Sequence, residues 1–460
     1  MEKKNEAIRK AGGIESIVLL AFIILAVATC IRLKTGGPMI GLFFSWIIIY
    51  VFCLIRRISY SEIQKGAFEA LKVVVPTMAL LMAIGVMIGT WLQSGTIPTI
   101  IVYGLRMINP RFLLPLTLVF CAVLSLVTGT SYGSVGSAGV AMMAIGNAMG
   151  INPGMVAGAV ICGSMFGDKL SPLSDTTNLA PAVAGAKLGD HIRAMLWTTV
   201  PPFILTLIIF TVLGMQQGGS GSVADIESYI AALNGEFRIG ALTLLPALLL
   251  IILLLIKVDA IISLGLSSAA AGLVSIFVQG KTLQSVIRIA YNGYSSEIEF
   301  DVLKTILNRG GMNSMLQYVA IITFAVGMGG MLERLGVLDC ILNFFVKRIH
   351  SDGSLILCTL LVGYATSIMS CSSPMSHVLT GRLMAPIFKE HKIKPAILSR
   401  CIEDSGTLAG PMIPWHGYCI YMSGTLGVAW GLFFPYLFLL YMTPLFSIFY
   451  GFSGISIEHE

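Results

Sequence analysis

Long apolar runs alternate along the chain with short polar punctuation. The runs are Ile14–Ile31, Met39–Ile55, Val73–Leu92, Phe112–Val127, Pro201–Leu213, Ile239–Ile256 and Trp430–Phe452. Most approach or exceed the roughly 18–20 residues a helix needs to cross a hydrocarbon core. The pattern predicts an all-α polytopic membrane protein with about ten to twelve transmembrane segments, broken ones included. The first run follows Lys3, Lys4, Arg9 and Lys10 and contains Ala26-Val27-Ala28, which has the form of a signal-peptidase site. It is long for a cleaved leader and a second run follows at once, so a retained first helix is expected.

Composition sharpens this. Only 11% of residues are charged and 56% are hydrophobic, with a mean hydropathy of +0.87. A water-soluble body carries about 25% charged residues. The net charge of +6 is spread over loops, where it reports orientation before partners. No basic stretch has interleaved aromatics, so nucleic acid is not an expected partner. Nine cysteines lie mostly inside apolar spans, without a CxxC pair or Cys/His metal spacing, and read as buried free thiols. No HExxH, nucleophile elbow or phosphate loop occurs. "MFGD" (Met165–Asp168) approaches the GxGD form of intramembrane aspartyl proteases, but Met165 stands where the first glycine belongs. Neither enzymatic activity nor a resident cofactor is expected.

A shift of 242 residues superimposes punctuation. Pro153 falls on Pro395, Pro172 on Pro414, Gly139 on Gly381 and Gly185 on Gly427, while Thr128, Thr130, Ser131 and Ser134 fall on Ser370, Ser372, Ser373 and Ser376. "GTWLQSG" (Gly89–Gly95) resembles "GGMLERLG" (Gly329–Gly336) with a one-residue slip. Duplication is the expectation: a first transmembrane repeat over 1–215, a polar inter-repeat loop over 216–237 and a second repeat over 238–460. Val140–Gly158 holds no basic residue, whereas the matching Arg382–Arg400 holds Arg382, Lys389, Lys392, Lys394 and Arg400. Basic loops stay cytoplasmic, so the repeats are expected to be inverted, with discontinuous helices or re-entrant hairpins meeting near the midplane. The same rule puts the N-terminus in the cytoplasm.

"TGTSYGSVGSAG" (Thr128–Gly139) directly follows an apolar span and carries four glycines and five hydroxyl residues; "SCSSPMSH" (Ser370–His377) holds the matching place. Gly129, Gly133 and Pro374 are the expected helix-breaking residues. Small residues also pack helices closely in membranes, but two such stretches beside acidic segments favour a site. Thr128, Thr130, Ser131, Ser372 and Ser373 would then supply neutral oxygens. Helix rise puts Asp404 roughly 15 Å from Lys394 and Asp168 roughly 22 Å from Pro153, deep enough to make both functional candidates. Glu403 and Asp404 point about 100° apart, and spacing does not decide which faces a cavity. In "FGDKLSPLSDTTNLAP" (Phe166–Pro181), Asp168, Asp175, Thr176, Thr177 and Asn178 offer only hard oxygen donors. A solvated loop would explain the same residues; the apolar "GPMIPWHG" (Gly410–Gly417) at the paired position weakens that reading. A carboxylate that takes up either Na+ or a proton makes the two ions compete. Elsewhere, Glu333 and Arg334 read as a helix-end pair; Gln93, which aligns with Glu333, suits a structural hydrogen bond or transport equally, and His377 an interior hydrogen bond or proton uptake; Asp190, His191 and Arg193 read as a cytoplasmic loop, and Glu297, Glu299 and Asp301 as a solvated face.

These stretches, with "EDSGTLAGPMIPW" (Glu403–Trp415), resemble the NhaC family of bacterial Na+/H+ antiporters, within the wider ion-transporter superfamily. The resemblance covers most of the chain, most strongly 128–202 and 367–427. It implies a secondary transporter of the cytoplasmic (inner) membrane that exchanges sodium for protons. The family also includes carriers coupling Na+ and H+ to a small organic acid or amino acid, of the malate/lactate type, which stands as the alternative. Asp168, Asp175, Asp404 and Glu403 are the candidate ion and proton carboxylates, with Na+ placed at Asp175, Asn178 and Asp404. The expected partners are the lipid bilayer, Na+ and H+; homodimerisation is left open.

Overall fold

The structure is a computed structural model that describes residues 12–33, 37–216, 223–337 and 349–459. Lys3, Lys4, Arg9 and Lys10, and the middle of the inter-repeat connection (217–222), lie outside these residues. Among the described residues the chain is helical, apart from one isolated bridge between Ile393 and His459. Eight helices are long and apolar enough to cross a membrane, or ten if each of two bent pairs forms one span. Phe22, Ile47, Val123, Ile208 and Leu273 stand exposed on them, as lipid-facing residues do. Only 22% of the Gly13–Cys30 stretch is buried, against 67% of Asp352–Ser370, so the first helix is peripheral and the latter central.

The apolar runs locate helices but not their ends. Val73–Leu92 is the second part of a 34-residue helix, Tyr60–Gln93. Its first turns carry Glu62, Lys65 and Glu69, which with Arg334 form a charged cluster at one end of the Met312–Arg334 helix. Pro201–Leu213 is the interior of Leu188–Gln216. The polar connection is not all loop: Val223–Glu236 is helical and bends by 88° into Ala241–Leu255. Glu236 accepts hydrogen bonds from Tyr294 Oη at 2.7 Å and Ser296 Oγ at 2.6 Å. That contact ties the connection to the polar segment carrying Glu297 and Glu299, which are exposed as read.

Two helical hairpins fill the centre. Leu113–Thr128 turns back through Gly129 and Thr130 into Ser131–Ser134, a π turn (Val135–Gly139) and Val140–Ala148. Asp352–Ser370 turns back through Cys371 and Ser372 into Ser373–Glu390. The turns match in conformation: Gly129 and Cys371 are left-handed (φ 71° and 56°), and Thr130 and Ser372 are extended (φ −148° and −145°). Each hairpin packs on a broken helix, Pro153–Leu170 then Asp175–Ala184 in one half, and Pro395–Ile402 with its π turn Glu403–Thr407 then Gly417–Leu426 in the other. The same hydrogen bond joins hairpin to broken helix in both. Ser125 Oγ donates to the Ser164 carbonyl at 2.7 Å, and Ser367 Oγ, 242 positions later, donates to the Gly406 carbonyl at 3.2 Å.

The Tyr60–Gln93 and Met312–Arg334 helices cross backbone to backbone. A Cβ on Gly66 would collide with the Gly330 carbonyl oxygen, and one on Gly330 with that of Gly66. Small residues permit this approach, and close packing adds to the Arg334 ion pairs that also join the two helices. Gly330→Leu should therefore destabilise the protein by at least about 1–3 kcal/mol. Gly265→Ala, where a Cβ meets nothing, should leave stability unchanged. Unfolding temperatures of the purified proteins in detergent check both.

Candidate functional site

The two hairpin tips and the second broken helix converge on a cavity of about 320 Å³. Thr130 and Tyr132 line it from the first tip, and Ser372, Ser373 and Pro374 from the second. Thr77, Asp175, Thr176, Asp259, His416 and Tyr418 complete its polar wall, with no lysine or arginine among the described residues that line it. Tyr132 stacks on Tyr418 at 4.6 Å, and Tyr421 Oη donates to the Tyr132 carbonyl at 2.6 Å. These contacts clamp the first tip onto the second half. Both aspartates are exposed. Asp259 caps the Ala260–Phe277 helix through the amides of Ile261 and Ile262, and Asp175 opens the Asp175–Ala184 helix, where a helix dipole favours an acid.

Behind the tips lie buried charges. Pro153–Leu170 runs further than the sequence suggests, so Asp168 and Lys169 sit in its last turn rather than in a loop. Asp168 accepts from Ser131 Oγ at 2.6 Å. Lys169 pairs with Asp404, both side chains fully buried, and Thr198 Oγ1 also donates to Asp404 at 3.1 Å. Asp404 and Glu403 divide as their roughly 100° separation requires. Asp404 meets Lys169, whereas both carboxylate oxygens of Glu403 are buried without a well-formed hydrogen bond, close to the Thr407 hydroxyl. Glu403 lies within coulombic reach of Lys169, Asp168 and Asp404. The Ser372 and Ser373 hydroxyls are buried and unpartnered. His377 Nε2 shares a hydrogen bond with Thr407 Oγ1 at 2.9 Å, and Gly406 lets the π turn approach the His377 ring. A π turn adds one residue to a helical turn, which re-aims the side chains around it; such turns recur at functional sites.

Other expected residues stand apart. Asn178 donates its amide to the Pro172 and Ser174 carbonyls at 2.9 and 2.7 Å and so staples the helix break, away from Asp404. Asp175 faces the cavity while Asp404 is enclosed. Thr128 Oγ1 donates back to the Leu124 carbonyl at 2.7 Å. Gly133 lies in the helical turn after the break, its amide donating to Thr130 Oγ1 at 3.3 Å; the break itself falls at Gly129 and Thr130. Pro374 begins the second arm, where its missing N–H costs nothing. His191 is not in a loop: it is buried in the first turns of Leu188–Gln216, with Nδ1 2.8 Å from Ser399 Oγ. Lys169, Thr198, Asp259 and Tyr418 escaped sequence reasoning. For Lys169 a signal existed, since no charged residue stands in the fifteen positions from Pro153 to Gly167. Among the described residues no cluster of three or more His, Cys, Asp or Glu side chains could hold a metal.

Residues 163–455 match the model of the Na+/H+ antiporter family. The Na+/H+ antiporter NhaC of Alkalihalophilus pseudofirmus is 35% identical over 446 residues, covering 97% of this chain and 96% of that protein. The malate-2H+/Na+-lactate antiporter of Bacillus subtilis is 37% identical over 440 residues, 95% and 94% of the two chains. The arginine/ornithine antiporter ArcD of Halobacterium salinarum is 31% identical over 402 residues, 86% and 82%. With a family match over most of its length and end-to-end relatives above 30% identity, the chain belongs to the Na+/H+ antiporter family.

Proposed function

We propose that the protein exchanges Na+ for H+ across the bacterial cytoplasmic membrane by alternating access, with its N-terminus in the cytoplasm and its halves inverted. The reading rests above all on Glu403, a fully buried carboxylate with neither oxygen in a well-formed hydrogen bond. A charge left in that state is prohibitively costly, so the group needs either a proton or a cation. Tyr418, which lies within coulombic reach of Glu403, lines the cavity together with the unpartnered hydroxyls of Ser372 and Ser373 on the second hairpin tip. Na+ reaches the tips through the cavity, drawn by Asp175 and Asp259 and opposed by no cation among the described lining residues. Asp168, held by Ser131 of the other tip, is the second carboxylate of the path. A carboxylate that holds one ion or the other, opened to one side at a time, makes each ion's release the condition for the other's binding. Family membership and the NhaC relative support this assignment. The unequal basic content of Val140–Gly158 and Arg382–Arg400 supports the inversion.

One observation favours a second reading. The cavity, at about 320 Å³, is far larger than a Na+ ion, and His416 Nε2 is a further unpartnered polar atom among its lining residues. With acids on one wall and hydroxyls and a helix N-terminus at Ser373 on the other, an amino acid would find partners for both ends. A dicarboxylate such as malate would find no lysine or arginine among the described lining residues. Two relatives bear the names of organic-substrate antiporters. Uptake of radiolabelled amino acids and dicarboxylates into proteoliposomes, with and without Na+, separates the readings.

In proteoliposomes, Glu403→Gln should abolish Na+-driven proton movement while the protein still inserts. Asp175→Asn should retain exchange with a KM for Na+ raised about three- to tenfold, as expected when one steering charge at the mouth is lost. Wild-type exchange by the Glu403 variant would remove that residue from the path. Protons and Na+ compete, so lowering the pH on the Na+-loading side should raise the apparent KM for Na+ and leave the rate at saturating Na+ nearly unchanged. A fluorescent-pH assay over a matrix of pH and Na+ concentrations reads this directly.

A further inference from the structure

Lys169 has no place in the exchange just described, yet its charge is enclosed deep in the protein. Its side chain is fully buried, and its ammonium group is bonded to Asp404, 235 positions away in the other half. Removing both charges from water is costly, and a well-packed apolar pair would serve stability as well or better. A buried ion pair at this depth therefore calls for a role besides holding the fold. Its surroundings indicate one. Asp404 keeps one carboxylate oxygen without a partner, Thr198 supplies a hydroxyl to the other, and the carboxylate of Glu403 belongs to the adjacent residue. With Lys169 withdrawn, Asp404 and Thr198 would present oxygens to a small cation, with the Glu403 carboxylate within coulombic reach.

We infer that Lys169 is a tethered cation that occupies at Asp404 the place a transported Na+ would take, and so sets the affinity for Na+. The inference rests on the antiport reading. What changes is whether Asp404 is paired with Lys169 or with the cargo. Backbone position suits it to this part. Lys169 lies in the last turn before the Ser171–Ser174 break, next to Asp168, which holds the first hairpin tip through Ser131. Thr177 Oγ1 caps the carbonyls of Asp168 and Lys169 at 3.0 and 3.1 Å. Movement of the first tip is thus transmitted through one helix end to the cation that holds Asp404. The other groups within coulombic reach are Glu403 and His191.

The test is the Na+ midpoint of thermal stabilisation of the purified full-length protein, with KM and maximal rate from proteoliposomes. Lys169→Gln should lower the Na+ midpoint and KM by about tenfold, an ordinary coupling between linked sites, while slowing turnover because Na+ leaves less readily. The double variant K169Q/D404N should lose that gain in affinity. If Lys169→Gln folds only in NaCl and not in KCl, Na+ is replacing the missing ammonium and the inference stands. An unchanged midpoint with a slower rate would make the pair purely structural and overturn it. So would a Lys169→Gln protein that fails to fold in either salt while the double variant folds in both. A wild-type protein with no Na+ response would remove the antiport reading itself, an outcome distinct from a wild type that responds and a variant whose midpoint does not move.

Discussion

Inside a bilayer every polar backbone group and every charge must find its partner within the protein. The two hairpins are solutions to that requirement. A helix that stops halfway frees its last carbonyls and the first amides of the next arm, and both must be satisfied without water. Here a left-handed residue closes the first arm, an extended hydroxyl residue opens the second, and a serine one turn back bonds the carbonyl of the adjacent broken helix. Both hairpins use this device at positions 242 apart. The tips are thus held by their flanks, and the outermost hydroxyls of the second tip, Ser372 and Ser373, remain unspent. Unspent oxygens at such depth are what a dehydrated cation needs.

Much of this frame was legible in the sequence, because periodic apolarity and Gly/Pro punctuation are local signals. The pairing of "TGTSYGSVG" with "SCSSPMSH" located both tips, and Pro153 and Pro395 marked both broken helices. The one local miss in the tips is instructive. Gly133 looks like a breaker, but Gly129 has the left-handed conformation, and its counterpart Cys371 adopts φ 56° without being glycine. Position, not residue type, sets that turn. Val223–Glu236 was hidden inside polar composition because a short helix outside the apolar runs carries no membrane-length signal.

The chemistry was less legible, because its partners are distant along the chain. Nothing periodic links Lys169 to Asp404, or Thr198 to either, and a lysine beside an aspartate reads most simply as a solvated local pair. The choice between Glu403 and Asp404 likewise turned on what each meets. A 100° rotation along one π turn sends one carboxylate to a lysine of the other half and leaves its neighbour without a well-formed hydrogen bond. The amide nitrogen of Asn178 staples its own helix break, a use of the residue that composition does not announce.

The two hairpins share their turn geometry but not the charges beside them. Asp168 and Lys169 correspond at the 242-residue offset to Gly410 and Pro411, and Glu403 and Asp404 to Ile161 and Cys162. Charges of the first half therefore meet charges of the second off the axis of repetition, where each half supplies what the other lacks. This asymmetry leaves the buried carboxylates in three different states: Asp168 hydrogen-bonded to a hairpin tip, Asp404 paired with Lys169, and Glu403 without a well-formed hydrogen bond. A symmetric site would give equivalent groups equal claims on every ion. An uneven one ranks them, and a ranked set of carboxylates lets a single cation be taken up, handed on and replaced by a proton as the halves rock.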